Sequence, residues 1–223
     1  MAIFEWGSQS PEILVSMDFN SLKDLVLDKL KKELKPSLYY HNYQHTIDVC
    51  ESVDRLAEME NIRGEELVLL QTAALFHDTG FIWRYDNNEE LACQYARELL
   101  PKFNYSIDQT DYICSMIMAT QIPQTPRDLM GMVLCDADLD YIGRGDFFIT
   151  ALRLHREWSE NSNRKITFKD WYLKQQSFII QHEYFTESAK TLRNEKKQHN
   201  LSQVKELLNL LDATSNESFG PFV

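Results

Sequence analysis

The chain has 223 residues, of which 43% are apolar, 12% aromatic and 26% charged, a profile that excludes a disordered or fibrous protein. A formal net charge of −11 excludes a basic groove for polymeric nucleic acid, because affinity for a phosphate backbone comes from clustered Lys and Arg. With only seven glycines and six prolines, long regular elements joined by short loops are expected.

In chain order, residues 1 to about 17 read as an irregular lead-in with neither a basic segment nor a continuous apolar run, so no signal peptide is expected. A first helix is predicted from about Asn20, with Leu22, Leu25, Val26, Leu30 and Leu34 at steps of three and four, stopping before Pro36. After the Tyr39-Tyr40 pair, a second helix carries Ile47, Cys50, Val53, Leu56 and Ala57 on one face and ends around Asn61 to Gly64. The third, about Glu65 to Thr79, is apolar nearly all round and should be central, with Gly80 as its C-cap. Further helices are predicted over 88–100, 107–120, 127–142, 145–160, 168–184, 186–197 and 200–212, with Thr167 and Asp170 resembling a capping box. No long strand alternation or repeat interrupts this series. The expectation is one all-α domain over 1–223: a multi-helix bundle around a buried central helix, with a core at about 39–144 and helices of 145–213 packed on it.

The four cysteines, Cys50, Cys93, Cys114 and Cys135, form no Cys-x-x-Cys pair and sit in apolar helical patterns, as buried free thiols of a reduced, cytoplasmic protein would. The longest apolar stretch, Leu67 to Phe76, is too short to span a bilayer, so no membrane partner is expected.

Four segments hold polar residues that packing does not require: Tyr40-His41-Asn42-Tyr43-Gln44-His45, His77-Asp78, Asn88-Glu89, and Asp136-Ala137-Asp138-Leu139-Asp140. If the first segment is helical, His41 and His45 lie one turn apart on one side. His77-Asp78 ends the most apolar helix, where a carboxylate meets the negative end of the helix dipole and a divalent cation would offset the cost. Any one of these is a weak signal, since a lone His is more often surface or hydrogen-bonded than a ligand, and an acid cluster is more often a cap or solvated face. Their conjunction, in this order, carries the weight.

His45…His77-Asp78…Asp138 resembles the His…His-Asp…Asp signature of the HD superfamily of metal-dependent phosphohydrolases. Tyr40-His41-Asn42-x-x-His45-x-x-Asp48-Val49 and Ala137-Asp138-Leu139 are similar to motifs of class I cyclic nucleotide phosphodiesterases. The resemblance implies an HD-type helical bundle with metal ligands His45, His77, Asp78 and Asp138, Asp136 being the alternative fourth ligand. Phe81 stands where the phosphodiesterases have a further His, and Asn88-Glu89 where other members have His-Glu, which points to one metal.

A mixed nitrogen and oxygen set suits Mn, Fe, Co, Ni or Zn better than Mg. The implied chemistry is hydrolysis of a phosphate ester of a nucleotide or similar small metabolite by metal-activated water. Asp78 would orient the water and His41 would act as general acid. Arg84, followed by Asn42, is the candidate for holding substrate, because a guanidinium forks onto phosphate. Phe81, Trp83 and Tyr85 either stack on a base or form an apolar plug, and Glu89 is a candidate partner for a ligand His. His155, His182 and His199 are expected to be structural or exposed. The competing readings are a non-catalytic HD-type nucleotide sensor, and a di-iron oxygenase of the superfamily, which would need further ligand histidines. A homo-oligomer is compatible with the sequence.

Overall fold

The structure, a computed structural model, describes residues 16–161 and 166–214. The lead-in expected at the N-terminus therefore falls, up to residue 15, outside the described residues. Those described are all-α, with no strand among them: α1 Phe19–Glu33, α2 Tyr43–Met59, α3 Gly64–Phe76, α4 Asn88–Leu99, α5 Ile107–Ala119, α6 Leu129–Asp138, α7 Phe147–Asn161, α8 Phe168–Gln181 and α9 Glu187–Thr214. Short 3-10 turns follow α3, α4 and α6.

Capping chemistry fixes the starts of the helices that matter most. The Asp18 carboxylate accepts from Ser21 N at 3.2 Å to begin α1, and Ser106 with Gln109 forms a reciprocal capping box on α5. Asn42 caps α2, its side-chain oxygen accepting from Gln44 N at 2.8 Å and His45 N at 3.2 Å. Helix α3 is the central element: Leu69 through Phe76, apart from Gln71, are buried, and α1, α2, α5 and α6 pack around it. A first core joins α1–α6 through Leu22, Val53, Leu70, Phe76, Ile117 and Leu134. A second, built from Tyr141, Ile142, Phe147, Trp171, Tyr172 and Val204, joins α7, α8 and α9 to the turn after α6.

Three sequence expectations need correction. Helix α3 ends at Phe76 rather than Thr79, with His77 as its C-cap in αR geometry, and the chain tightens into a 3-10 turn over Thr79–Ile82. Gly80 sits inside that turn instead of terminating the helix. A Cβ there would lie 1.8 Å from the carbonyl oxygen of Asn88, so glycine is required by the close approach of the α4 start. The break expected between 197 and 200 is absent, and α9 runs unbroken for 28 residues. Asn200, at the expected break, instead donates its amide to the Ile142 and Arg144 carbonyls at 2.9 Å each.

Gly80→Ala should therefore cost about 3 kcal/mol of unfolding free energy in urea denaturation, an overpacking penalty against backbone. Gly145→Ala, whose added Cβ would meet nothing within 4 Å, should stay within about 0.5 kcal/mol of the wild type.

Candidate metal centre

Three chain ends meet at one buried point. The Asn42 cap orients the first turn of α2, which delivers His45, 7% exposed. The end of α3 delivers His77, fully buried, and Asp78 directly after it. The last residue of α6 is Asp138. Two carboxylates thus stand at the C-terminal ends of two helices, where the helix dipole disfavours negative charge. The arrangement becomes favourable when positive charge lies among them.

The distances describe a coordination shell better than a hydrogen-bond network. His45 Nε2 lies 3.3 Å from Asp78 Oδ2 and 3.2 Å from Asp138 Oδ1. His77 Nε2 lies 3.2 Å from Asp78 Oδ2, 3.6 Å from Asp138 Oδ1 and 3.4 Å from His45 Nε2. Ligands held about 2.1 Å from a common ion stand about 3.0–3.4 Å apart, which these edges approach. Despite both imidazoles, buried Asp78 Oδ2 has no hydrogen-bond partner of acceptable geometry. His77 Nδ1 lies 2.7 Å from the Ala74 carbonyl, which fixes a proton on Nδ1 and turns Nε2 toward the cluster. An orphaned carboxylate oxygen facing two imidazole nitrogens is the donor chemistry of a divalent-cation site.

The electrostatics agree. Burial disfavours the His45 and His77 imidazolium forms, yet Asp78 and Asp138 outweigh it and raise both pKa values. Burial likewise pushes the carboxyls of Asp78 and Asp138 up, and the two histidines more than reverse it. Each group favours its charged form through its neighbours.

Asp136, the alternative ligand, faces away. Its Oδ1 accepts from Phe185 N at 2.8 Å, and its Oδ2 from Thr186 N at 2.8 Å and Thr186 Oγ1 at 2.7 Å, so it ties α6 to the start of α9. Residues two apart at a helix end point differently, and Asp136 is committed to backbone donors.

His41 is not on α2; it precedes the Asn42 cap, so the one-turn relation to His45 does not hold. It still comes close, with ring centroids 5.9 Å apart. What positions it is Glu157 of α7, fully buried, a residue that motif spacing did not reveal. One Glu157 oxygen accepts from Tyr40 N at 2.7 Å and His41 N at 3.0 Å, while the other pairs with His41 Nδ1 and accepts from Tyr85 Oη at 3.3 Å. Phe81 stacks on the other side of the His41 ring at 4.3 Å. Burial raises the Glu157 pKa, but its bonds to His41 and to the backbone of Tyr40 and His41 leave it lowered, so the carboxylate is retained. The available sequence signal was a glutamate on the inward face that also carries Phe147, Thr150, Ala151 and Leu154.

A cavity of about 760 Å³ opens beside His41, Asp78 and Asp138. Its walls include the aromatic residues Phe81, Tyr85, Trp158, Trp171 and Phe178, with Gln175 and Lys174 from α8. Arg84, expected to clamp phosphate, is not on this wall. It is exposed, donating to the Asn87 carbonyl at 2.7 Å and to Glu90 at 3.1 Å, because the turn after Gly80 directs it outward. Trp83 is likewise exposed, packing near Tyr95 and Lys29. Asn42 spends its polar atoms on capping and on the Tyr39 carbonyl, and borders a smaller polar cavity of about 240 Å³ with His45, Asp138, Arg144 and Arg153. Glu89 lines the large cavity, where burial raises its pKa. His155 bonds the Ile166 carbonyl at 3.2 Å, His182 lies between α8 and α9, and His199 is exposed.

Comparison with known proteins bears on this geometry. Residues 42–141 match the family model described as HD domain, a span that runs from the α2 cap past Asp138. The fold is similar to that of Bacillus subtilis YpgQ, solved in complex with ADP, with a TM-score of 0.61 at 19% identity over 86% of this chain and 95% of that one. It is also similar to a predicted HD superfamily hydrolase from an uncultured Thermotogales bacterium, with a TM-score of 0.53 at 22% identity over 88% and 92%. A Lactobacillus plantarum protein gives a TM-score of 0.63 at 19% identity over 87% and 97%. No curated protein sequence matches the chain. Among the described residues no helix is long and apolar enough to cross a membrane.

Two aspartates two residues apart should separate cleanly in metal analysis. Asp138→Ala purified from Mn²⁺-supplemented medium should lose most bound metal by elemental analysis. Asp136→Ala should retain it while unfolding about 3 kcal/mol more easily, because three buried donors lose their acceptor.

Proposed function

With an HD domain over residues 42–141 as the premise, we propose that the chain is a metal-dependent phosphohydrolase of small phosphorylated metabolites, with a nucleotide as the favoured class. The observation that carries this reading is the convergence of His45, His77 and Asp138, whose ligand atoms lie within 4.8 Å of one another, with Asp78 Oδ2 at 3.3 and 3.2 Å from the two imidazoles, beside a histidine restrained by a buried glutamate at the edge of a cavity with aromatic walls. His45, His77, Asp78 and Asp138 would hold one divalent ion, with Mn, Fe, Co, Ni or Zn suiting the two nitrogens better than Mg. When bound, such an ion supplies Lewis acidity and makes hydroxide available near neutral pH.

The chain's own groups would do the rest. Asp78 would bind the ion through Oδ2, the oxygen that faces the two imidazoles, and leave its other oxygen to orient the attacking water. His41 donates its Nδ1 proton to Glu157, which leaves Nε2 as the atom that can carry a proton to the leaving alkoxide. Glu157 is a positioning residue: its contact with Nδ1 fixes the His41 tautomer and the direction of the ring. The aromatic cavity would bury the organic part of the ester, and its flat walls suit a heterocycle. YpgQ, similar in fold, was solved with ADP, which is compatible with a nucleotide here.

The test is a panel of nucleoside mono-, di- and triphosphates, cyclic nucleotides and simple phosphate esters, assayed with Mn²⁺ and with EDTA. Metal-dependent release of phosphate or nucleotide from at least one compound is expected. His41→Ala should reduce kcat about 10²–10⁴-fold, and Glu157→Gln should reduce it less. If nucleotides raise the Tm but none is turned over, the chain senses rather than hydrolyses, and the catalytic roles fall.

A further inference from the structure

Away from the metal centre, the chain brings two thiols together across the contact between α4 and α5. Cys93 Sγ lies 3.5 Å from the Cys114 carbonyl, and Cys114 Sγ lies 3.6 Å from the Cys93 carbonyl. That reciprocal crossing sets the two side chains next to each other. Each residue is 3% exposed, and both border a surface cavity of about 430 Å³ that also touches Arg97, Ser115 and Arg127. A small oxidant has a route to them that a protein reductant does not.

We infer that Cys93 and Cys114 are a site of reversible oxidation, forming an intramolecular disulfide that staples α4 to α5. The co-reactant is hydrogen peroxide. The Cys114 thiolate attacks one peroxide oxygen, the O–O bond breaks, and the departing hydroxide takes up the thiol proton as water. The Cys93 thiol then attacks the sulfenic sulfur, forming the S–S bond as the S–O bond breaks, and a second water leaves. Two thiols are oxidised by two electrons and one peroxide is reduced by two. The order follows from the pair itself: contact with the Cys93 thiol holds the Cys114 pKa down, and the Arg97 charge adds to it, while Cys93 is shifted the other way.

The staple reaches the catalytic cavity. Helix α4 begins with Asn88 and Glu89, and α5 ends just before Thr120, Gln121 and Ile122; both groups line the cavity beside Asp78. A covalent link between the two helices holds one wall of that cavity in place. The other thiols are not so paired: Cys135 Sγ approaches the Ala119 carbonyl at 3.3 Å, and Cys50 is half-buried on α2.

The experiment uses the full wild-type chain, folded, treated with a tenfold excess of hydrogen peroxide. Thiols are then counted in denaturant, the intact mass is measured, and non-reduced peptides are mapped. Expected are loss of two of the four titratable thiols, a mass lower by about 2 Da, and one cross-linked peptide pair containing Cys93 and Cys114. Dithiothreitol should reverse all three. Closing this loop should also raise the Tm by roughly 5 °C. Cys50→Ser should form the same link, and Cys93→Ser should stop at a sulfenic acid trapped by dimedone. Four intact thiols after treatment, a link between other cysteines, or oxidation only to sulfinic acid would each overturn the inference.

Discussion

The rest of the structure depends on an electrostatic constraint: two carboxylates are held in the interior at the negative ends of two helices. Asp78 follows the most buried helix and Asp138 ends α6. Neither position is favourable for an anion. Two imidazole nitrogens within 3.2–3.6 Å offset that cost, but with poor hydrogen-bond geometry that leaves Asp78 Oδ2 unpaired. A cation at the common point would satisfy all four groups together. The cluster makes chemical sense as a binding site and little sense as packing.

Holding that cluster in register is the task of residues outside it. Asn42 sets the first turn of α2, Ala74 fixes the His77 tautomer, and Gly80 lets the α4 start press against the turn after Asp78. Asp136 clamps the α8–α9 connection, and the Asp140 pair with Arg193, at 2.5 and 2.9 Å, locks α9 to the turn that follows Asp138. The second layer of helices then does more than cover the first. Helix α7 sends Glu157 inward to His41, and α8 supplies Trp171, Lys174 and Gln175 to the cavity wall.

Legibility from sequence followed the range of the interaction. The all-α class, the central helix and most helix starts were readable because apolar periodicity and caps act within a few residues. That His45, His77, Asp78 and Asp138 come together was readable because they follow an ordered motif. What failed was set by contacts distant in sequence. Gly80 looked like a C-cap because its reason lies in Asn88, and the break expected between 197 and 200 is absent from a helix that Asn200 ties to Ile142 and Arg144. Arg84 looked like a phosphate clamp because charge and aromatic neighbours give no direction, whereas Glu90 and the Asn87 carbonyl hold it outside. Glu157 lies 116 residues from His41 and no spacing rule joins them.

The central claim concerns a single cation, and anomalous diffraction from crystals grown with Mn²⁺ tests it most directly. One peak is predicted, lying about 2.0–2.3 Å from Nε2 of His45, Nε2 of His77 and one carboxylate oxygen each of Asp78 and Asp138. A peak bound elsewhere, or an ordered cluster with no anomalous signal at saturating Mn²⁺, would contradict the account.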